Sequence, residues 1–231
     1  MRQLALDLST APAPDFSNFE VADNTLAWRA IQEALAREQG REPAVPLLLW
    51  GATGSGKSHV LQAWRAREWS AGRRVGWLSQ DMDSEPLAFS EDWSVLLFDG
   101  VDAWDETRQA VAFNWLASTQ SMLPQARPSV IATAQHPPAD WSCRADLRTR
   151  LAQGLVLELR PLSEQQRVAV LQRAAAARGL VLGEDVVGYM IKRFSRDLTS
   201  LMLLLEHMDA YALEHQRALT VPLIKSMLEH S

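Results

Sequence analysis

The stretch GATGSGKS, residues 51–58, restricts what this chain can fold into more than any other part of it. It follows the short apolar run VPLLLW and leads into SHVLQAWRAREW, which has helical spacing, so a strand must turn sharply into a helix. Such a turn points consecutive backbone N–H groups inward at phosphate oxygens, and the helix N-terminus adds its positive dipole end. Gly51, Ala52, Thr53, Gly54, Ser55 and Gly56 form the expected cradle. Lys57 is placed to reach the outer phosphates and Ser58 to offer its hydroxyl to magnesium. The cofactors expected are ADP or ATP with Mg2+.

A second nucleotide element should be an apolar strand ending in an acid that holds the magnesium shell, and SVLLFDG supplies it with Asp99. The next residue is Gly100, and Asp102 lies two positions beyond it. The runs RVGWLS, SVIATA and LVLEL, separated by helix-length segments, extend the pattern of strand–helix–strand units. The fold class expected is α/β, with about five parallel strands. After Arg160-Pro161 the pattern changes: Ser163 is placed as an N-cap, a helical apolar stripe ends on Gly179, and no strand-like run follows. The domains expected are a leader and tether at 1–15, an α/β nucleotide-binding core at 16–160 and a smaller all-helical domain at 161–231.

Composition narrows the class. With 47% hydrophobic residues and no apolar run of bilayer length, the chain reads as a cytoplasmic protein rather than a membrane protein. The single cysteine, Cys143, excludes an internal disulfide. A formal charge of −5 argues against a protein whose main task is gripping phosphate backbones, so any DNA contact is expected to be indirect or weak. Arg65, Arg67, Arg73 and Arg74 cluster in sequence and read as a solvated helix face. The nine tryptophans form no cofactor box, and His59 and His136 read as packing and structural residues.

Taken together, the phosphate loop, the LLFD strand, SVIATAQHPP, DLRTRLAQGLVLELRPLS and the helical tail resemble the AAA+ module of the DnaA clan. FSNFEVADNTLAWRAI is similar to the clan's lead-in, which implies that Phe16, Phe19, Asn24 and Ala27 lie near a base pocket. With TVPLIKSMLEHS as the last residues read, no additional DNA-box-binding domain is expected, and a bare module of this kind resembles the DnaA-related regulatory inactivators, the Hda family. That resemblance implies a regulator that binds the sliding clamp of the replicative polymerase and switches off the initiator DnaA by promoting hydrolysis of its ATP. It also implies that QLALDL is the clamp-binding peptide, with Gln3 at a pocket rim and Leu4, Leu6 and Leu8 as apolar anchors. Arg150 falls where an arginine finger acting in trans is carried, with Arg148 as its rival, and Arg196 falls at the second sensor that reaches the nucleotide from the lid. A homodimer is a further expected partner.

Departures from the pattern bear on turnover. Gly100 stands where a second acid polarises water, and Thr133-Ala134-Gln135-His136 stands where the first sensor is charged, so a site that holds nucleotide more than it turns it over is expected. The alternatives are an AAA+ DNA-binding or helicase-loading ATPase, or a stand-alone P-loop NTPase.

Overall fold

A computed structural model describes residues 14–36, 45–81, 88–193, 198–215 and 220–230. Its contacts divide the chain after Pro161. The first unit holds five parallel strands, β1 (Leu47–Trp50), β2 (Arg74–Ser79), β3 (Trp93–Asp99), β4 (Ser129–Ala134) and β5 (Leu155–Glu158), in the order β2-β3-β4-β1-β5. Four helices connect or precede them: α1 (Thr25–Ala36), α2 (Lys57–Ser70), α3 (Glu106–Ser121) and α4 (Ala145–Ala152). The expected α/β fold with five parallel strands is the one observed.

Alternating side chains explain why the strands read as continuous apolar runs. Leu47 and Leu49 pack with Ile31 of α1 and Val60, Leu61 and Trp64 of α2, whereas Leu48 packs with Ala112, Trp115 and Leu116 of α3 and Leu147 and Leu151 of α4. Successive residues of a strand face opposite sides, so a sheet covered on both faces needs apolar residues at every position. Gly76 in the outer strand β2 shows how tight this packing is: a Cβ there would lie 2.5 Å from the Trp93 ring. Both β2 and β5 pair on one side only.

The second unit is helical throughout its described residues, with α5 (Glu164–Ala177), α6 (Glu184–Arg193), α7 (Leu198–His215) and α8 (Val221–His230). Ser163 caps α5 by accepting from the Gln166 N–H, while the Gln166 side chain accepts from the Ser163 N–H, a reciprocal capping box. The helix ends through Gly179 at φ +74°, a left-handed turn that a side chain would strain. Leu171, Val187, Met190, Leu201, Leu205, Met208 and Ile224 form this unit's own core. No helix among the described residues is long and apolar enough to cross a membrane.

Candidate functional site

The carboxyl ends of β1, β3 and β4 converge on one edge of the sheet, where open α/β sheets place their ligands. Gly51 leaves β1 so close to β5 that a Cβ would sit 2.1 Å from the Leu159 carbonyl oxygen. Gly54 (φ +79°) and Gly56 (φ +95°) take the left-handed turns that start α2 at Lys57. The Lys57 ammonium donates to the carbonyls of Gly51 (2.6 Å) and Ala52 (2.9 Å) and lies 3.3 Å from Ser55 Oγ. Burial lowers the Lys57 pKa below the ordinary lysine value, and the negative charges of Asp99 and Asp102 oppose that shift. Ser58 is exposed in the first turn of α2.

Asp99 ends β3 beside β4, and the fully buried Thr133 hydroxyl donates to Asp99 Oδ1 at 2.6 Å while accepting the Gly100 N–H at 3.1 Å. The sequence marks Thr133 only as part of the first-sensor stretch and gives it no partner, because the lateral pairing of β3 with β4 that brings it to Asp99 leaves no local trace. Asp102 turns away from this point. Its carboxylate accepts from the Gln135 N–H at 3.0 Å and the His136 N–H at 3.0 Å, with His136 Nδ1 at 2.9 Å, tying the exits of β3 and β4 together. A hydroxyl on α2 and a carboxylate at the end of β3 suit magnesium, which takes few protein ligands and keeps its waters and phosphate oxygens. Ser58 and Asp99 would hold it; no group of three or more His, Cys, Asp or Glu side chains among the described residues could hold a metal on protein ligands alone.

Aromatic rings from the lead-in cover the start of α2. Phe19 stacks on Trp28 (5.3 Å, 13°) and lies 5.8 Å from the His59 ring, and a Cβ on Gly56 would meet Phe19 at 3.0 Å. Phe16 packs edge-on against Trp64. Asn24 does not face solvent: its carboxamide donates to the Arg160 carbonyl (2.9 Å) and accepts the Arg160 N–H (2.7 Å), pinning the start of α1 to the end of β5. Ala27 is buried behind it.

The two candidate arginines of α4 differ in what they touch. Arg148 donates from Nη1 to the Trp141 carbonyl at 3.1 Å. The Arg150 guanidinium lies over the Phe113 ring at 4.9 Å, and no carboxylate among the described residues pairs with it. Arg144 shares that ring at 5.2 Å but is held by Asp146 at 2.7 Å. Arg196 and the peptide residues Gln3, Leu4, Leu6 and Leu8 lie outside the described residues.

Solved structures share this architecture. Domain III of the Thermotoga maritima replication initiation protein DnaA superposes with a TM-score of 0.69 at 19% identity, covering 95% of this chain and 98% of that one. AMPPCP-bound DnaA from Aquifex aeolicus gives 0.66 at 21% identity, covering 87% of this chain and 66% of that chain. The Thermotoga maritima RuvB Holliday junction branch migration motor gives 0.62 at 15% identity over 94% of this chain and 71% of the other. Fold and loop thus define the class: a phosphate-loop α/β fold of the type seen in DnaA domain III and the RuvB motor. Residues 164–228 match the family described as the Hda lid domain.

Proposed function

We propose that this protein is a nucleotide-binding AAA+ regulator of chromosome replication initiation, acting in the cytoplasm. In this reading residues 51–58 hold ADP or ATP, Ser58 and Asp99 hold Mg2+, and Arg196 senses the nucleotide from the lid. The leader docks on the DNA-loaded sliding clamp through Gln3, Leu4, Leu6 and Leu8, and Arg150 completes the active site of the initiator DnaA and promotes hydrolysis of its ATP. Magnesium, when bound, would offset phosphate charge; the loop N–H groups and Lys57 would orient the phosphates.

The observation that carries this reading is the state of Arg150. A π face holds a guanidinium in place without consuming its N–H donors or neutralising its charge, so the group stays competent to meet an anion supplied by another subunit. Such a cation, preorganised against charge developing on a γ-phosphate, contributes about 10³–10⁵ in rate in other phosphoryl-transfer systems. Weak turnover by the protein alone fits the same site: Gly100 has no side chain to polarise water, and the Asp102 carboxylate is already committed to Gln135 and His136.

Single-turnover hydrolysis of ATP prebound to the initiator, with DNA-loaded clamp present, tests the proposal. Arg150→Ala should keep fold, nucleotide affinity and clamp binding yet abolish the stimulation, and Arg148→Ala should do less. Full stimulation by the Arg150 variant rejects the assignment, and loss only in the Arg148 variant moves the finger two residues upstream.

A further inference from the structure

Asp146 and Arg150 stand four residues apart on α4 with the acid nearer its N-terminus, the spacing and order in which a carboxylate and a cation ordinarily pair along a helix. Here they do not pair. The Asp146 carboxylate turns back toward the start of α4, where it accepts from Arg144 Nη2 at 2.7 Å, from Arg144 Nε at 3.2 Å and from the Leu147 N–H at 2.7 Å. Two N–H groups of one guanidinium thus hold both carboxylate oxygens, a fork that outcompetes a single contact along the helix. The backbone that carries this guanidinium is tied to α3: the Arg144 N–H donates to Gln109 Oε1 at 2.9 Å, and the buried Gln109 carboxamide donates in turn to the Trp104 carbonyl at 2.8 Å. Charge makes the arrangement consistent. Arg144 and Arg150 lie over the same Phe113 ring, at 5.2 and 4.9 Å, and two guanidiniums on one ring would repel each other if Asp146 did not offset the charge of the first. The Arg144 contacts also hold the Asp146 carboxyl below its ordinary pKa, so it is ionised at neutral pH.

We infer that Arg144 is a positioning residue for Arg150: by occupying Asp146 it keeps the Arg150 guanidinium clear of its helix partner and available to an anion on another subunit. This role rests on the reading of Arg150 as a finger acting in trans, and adds the means by which the finger is kept uncovered. The ion pair is exposed, 44% for Arg144 and 40% for Asp146, so it exchanges easily and Asp146 can pass from one arginine to the other. With Arg144 gone, the pair along the helix forms by default, and Arg150 meets a γ-phosphate only after leaving the carboxylate four residues before it.

Two measurements on the full-length protein test this. The first is the Arg150 Nε–Hε resonance in proton–nitrogen correlation NMR, assigned by its loss in Arg150→Ala and displaced from the usual arginine position by the Phe113 ring current. It should move toward the usual position in Arg144→Ala and return in the double variant Arg144→Ala/Asp146→Asn, which keeps no carboxylate there to capture Arg150. The second is single-turnover hydrolysis of initiator-bound ATP with DNA-loaded clamp present. Stimulation should fall about two- to threefold in Arg144→Ala, the population expected of an exposed pair along a helix, and recover in the double variant. Nucleotide affinity of the protein's own loop should match the parent in both, which shows that the variants are folded. An Arg150 resonance that keeps its parent position in Arg144→Ala overturns the inference. So does a loss that persists in the double variant, since Arg144 would then act other than through Asp146. If the resonance moves and returns as expected while stimulation stays at the parent level throughout, Arg144 is upheld as the residue that frees Arg150, and the finger reading is what fails.

Discussion

Thr133 Oγ1 stands 2.6 Å from Asp99 Oδ1 and takes the Gly100 N–H at 3.1 Å, so one buried hydroxyl orients the carboxylate that ends β3 and satisfies the amide after it. Thr133→Val removes both bonds at constant shape and should cost about 1–3 kcal/mol of stability, because the partners stay desolvated. Weaker magnesium dependence of nucleotide affinity should accompany the loss, with recovery in Thr133→Ser. Denaturant unfolding and a nucleotide titration with and without Mg2+ measure the two effects. Parent-like values in the valine variant would show that Asp99 is held without the hydroxyl.

Lys57→Ala should lower affinity for ADP and ATP alike while the fold survives, since it removes the cation facing the phosphates. The pH dependence has a definite sign. Burial depresses the Lys57 pKa below the ordinary value of 10.5, and a bound phosphate would raise it. Binding in the alkaline range between the two values therefore takes up a proton, and affinity falls as pH rises through it, with no such effect well below the depressed value. Calorimetric titration in buffers of different ionisation enthalpy checks this, and the proton uptake should vanish in Lys57→Ala.

Gly51→Ala should do structural damage that Lys57→Ala does not. The added methyl would lie 2.1 Å from a backbone oxygen, Leu159 O, which cannot swing aside as a side-chain tip could. β1 and β5 must part, so a lowered melting temperature together with lost nucleotide binding is the expected outcome. An unchanged melting temperature would mean that the loop relaxes freely at this point.

Leu6 and Leu8, replaced together by alanine, should abolish clamp binding and leave nucleotide affinity intact. Two fully buried leucine anchors are worth about 1.5–3 kcal/mol each, a loss of two orders of magnitude or more. Co-elution with the clamp in size exclusion gives the answer, and parent-like binding would remove the leader from the docking site.

Much of this protein is legible in one dimension. The glycine spacing of residues 51–58, the apolar runs that became β1 to β5 and the Ser163 cap are signals in which cause and effect lie within a few residues, because backbone conformation and helix termini are local. Local spacing also located Asp99 at a strand end, whereas Arg150 was singled out by resemblance and its place on the short helix α4 comes from the structure. Only the tertiary structure decided what those side chains meet. The strand order inserts β4 between β3 and β1, and that permutation brings Thr133 to Asp99 and aims Asp102 at Gln135 and His136, across more than thirty residues of chain in each case. The packing of α4 beside α3 likewise sets Arg150 on Phe113 and leaves Arg148 on a carbonyl. Sheet order and helix packing follow from burying apolar faces, a non-directional force summed over the whole core, so no local pattern encodes which polar groups end up as neighbours.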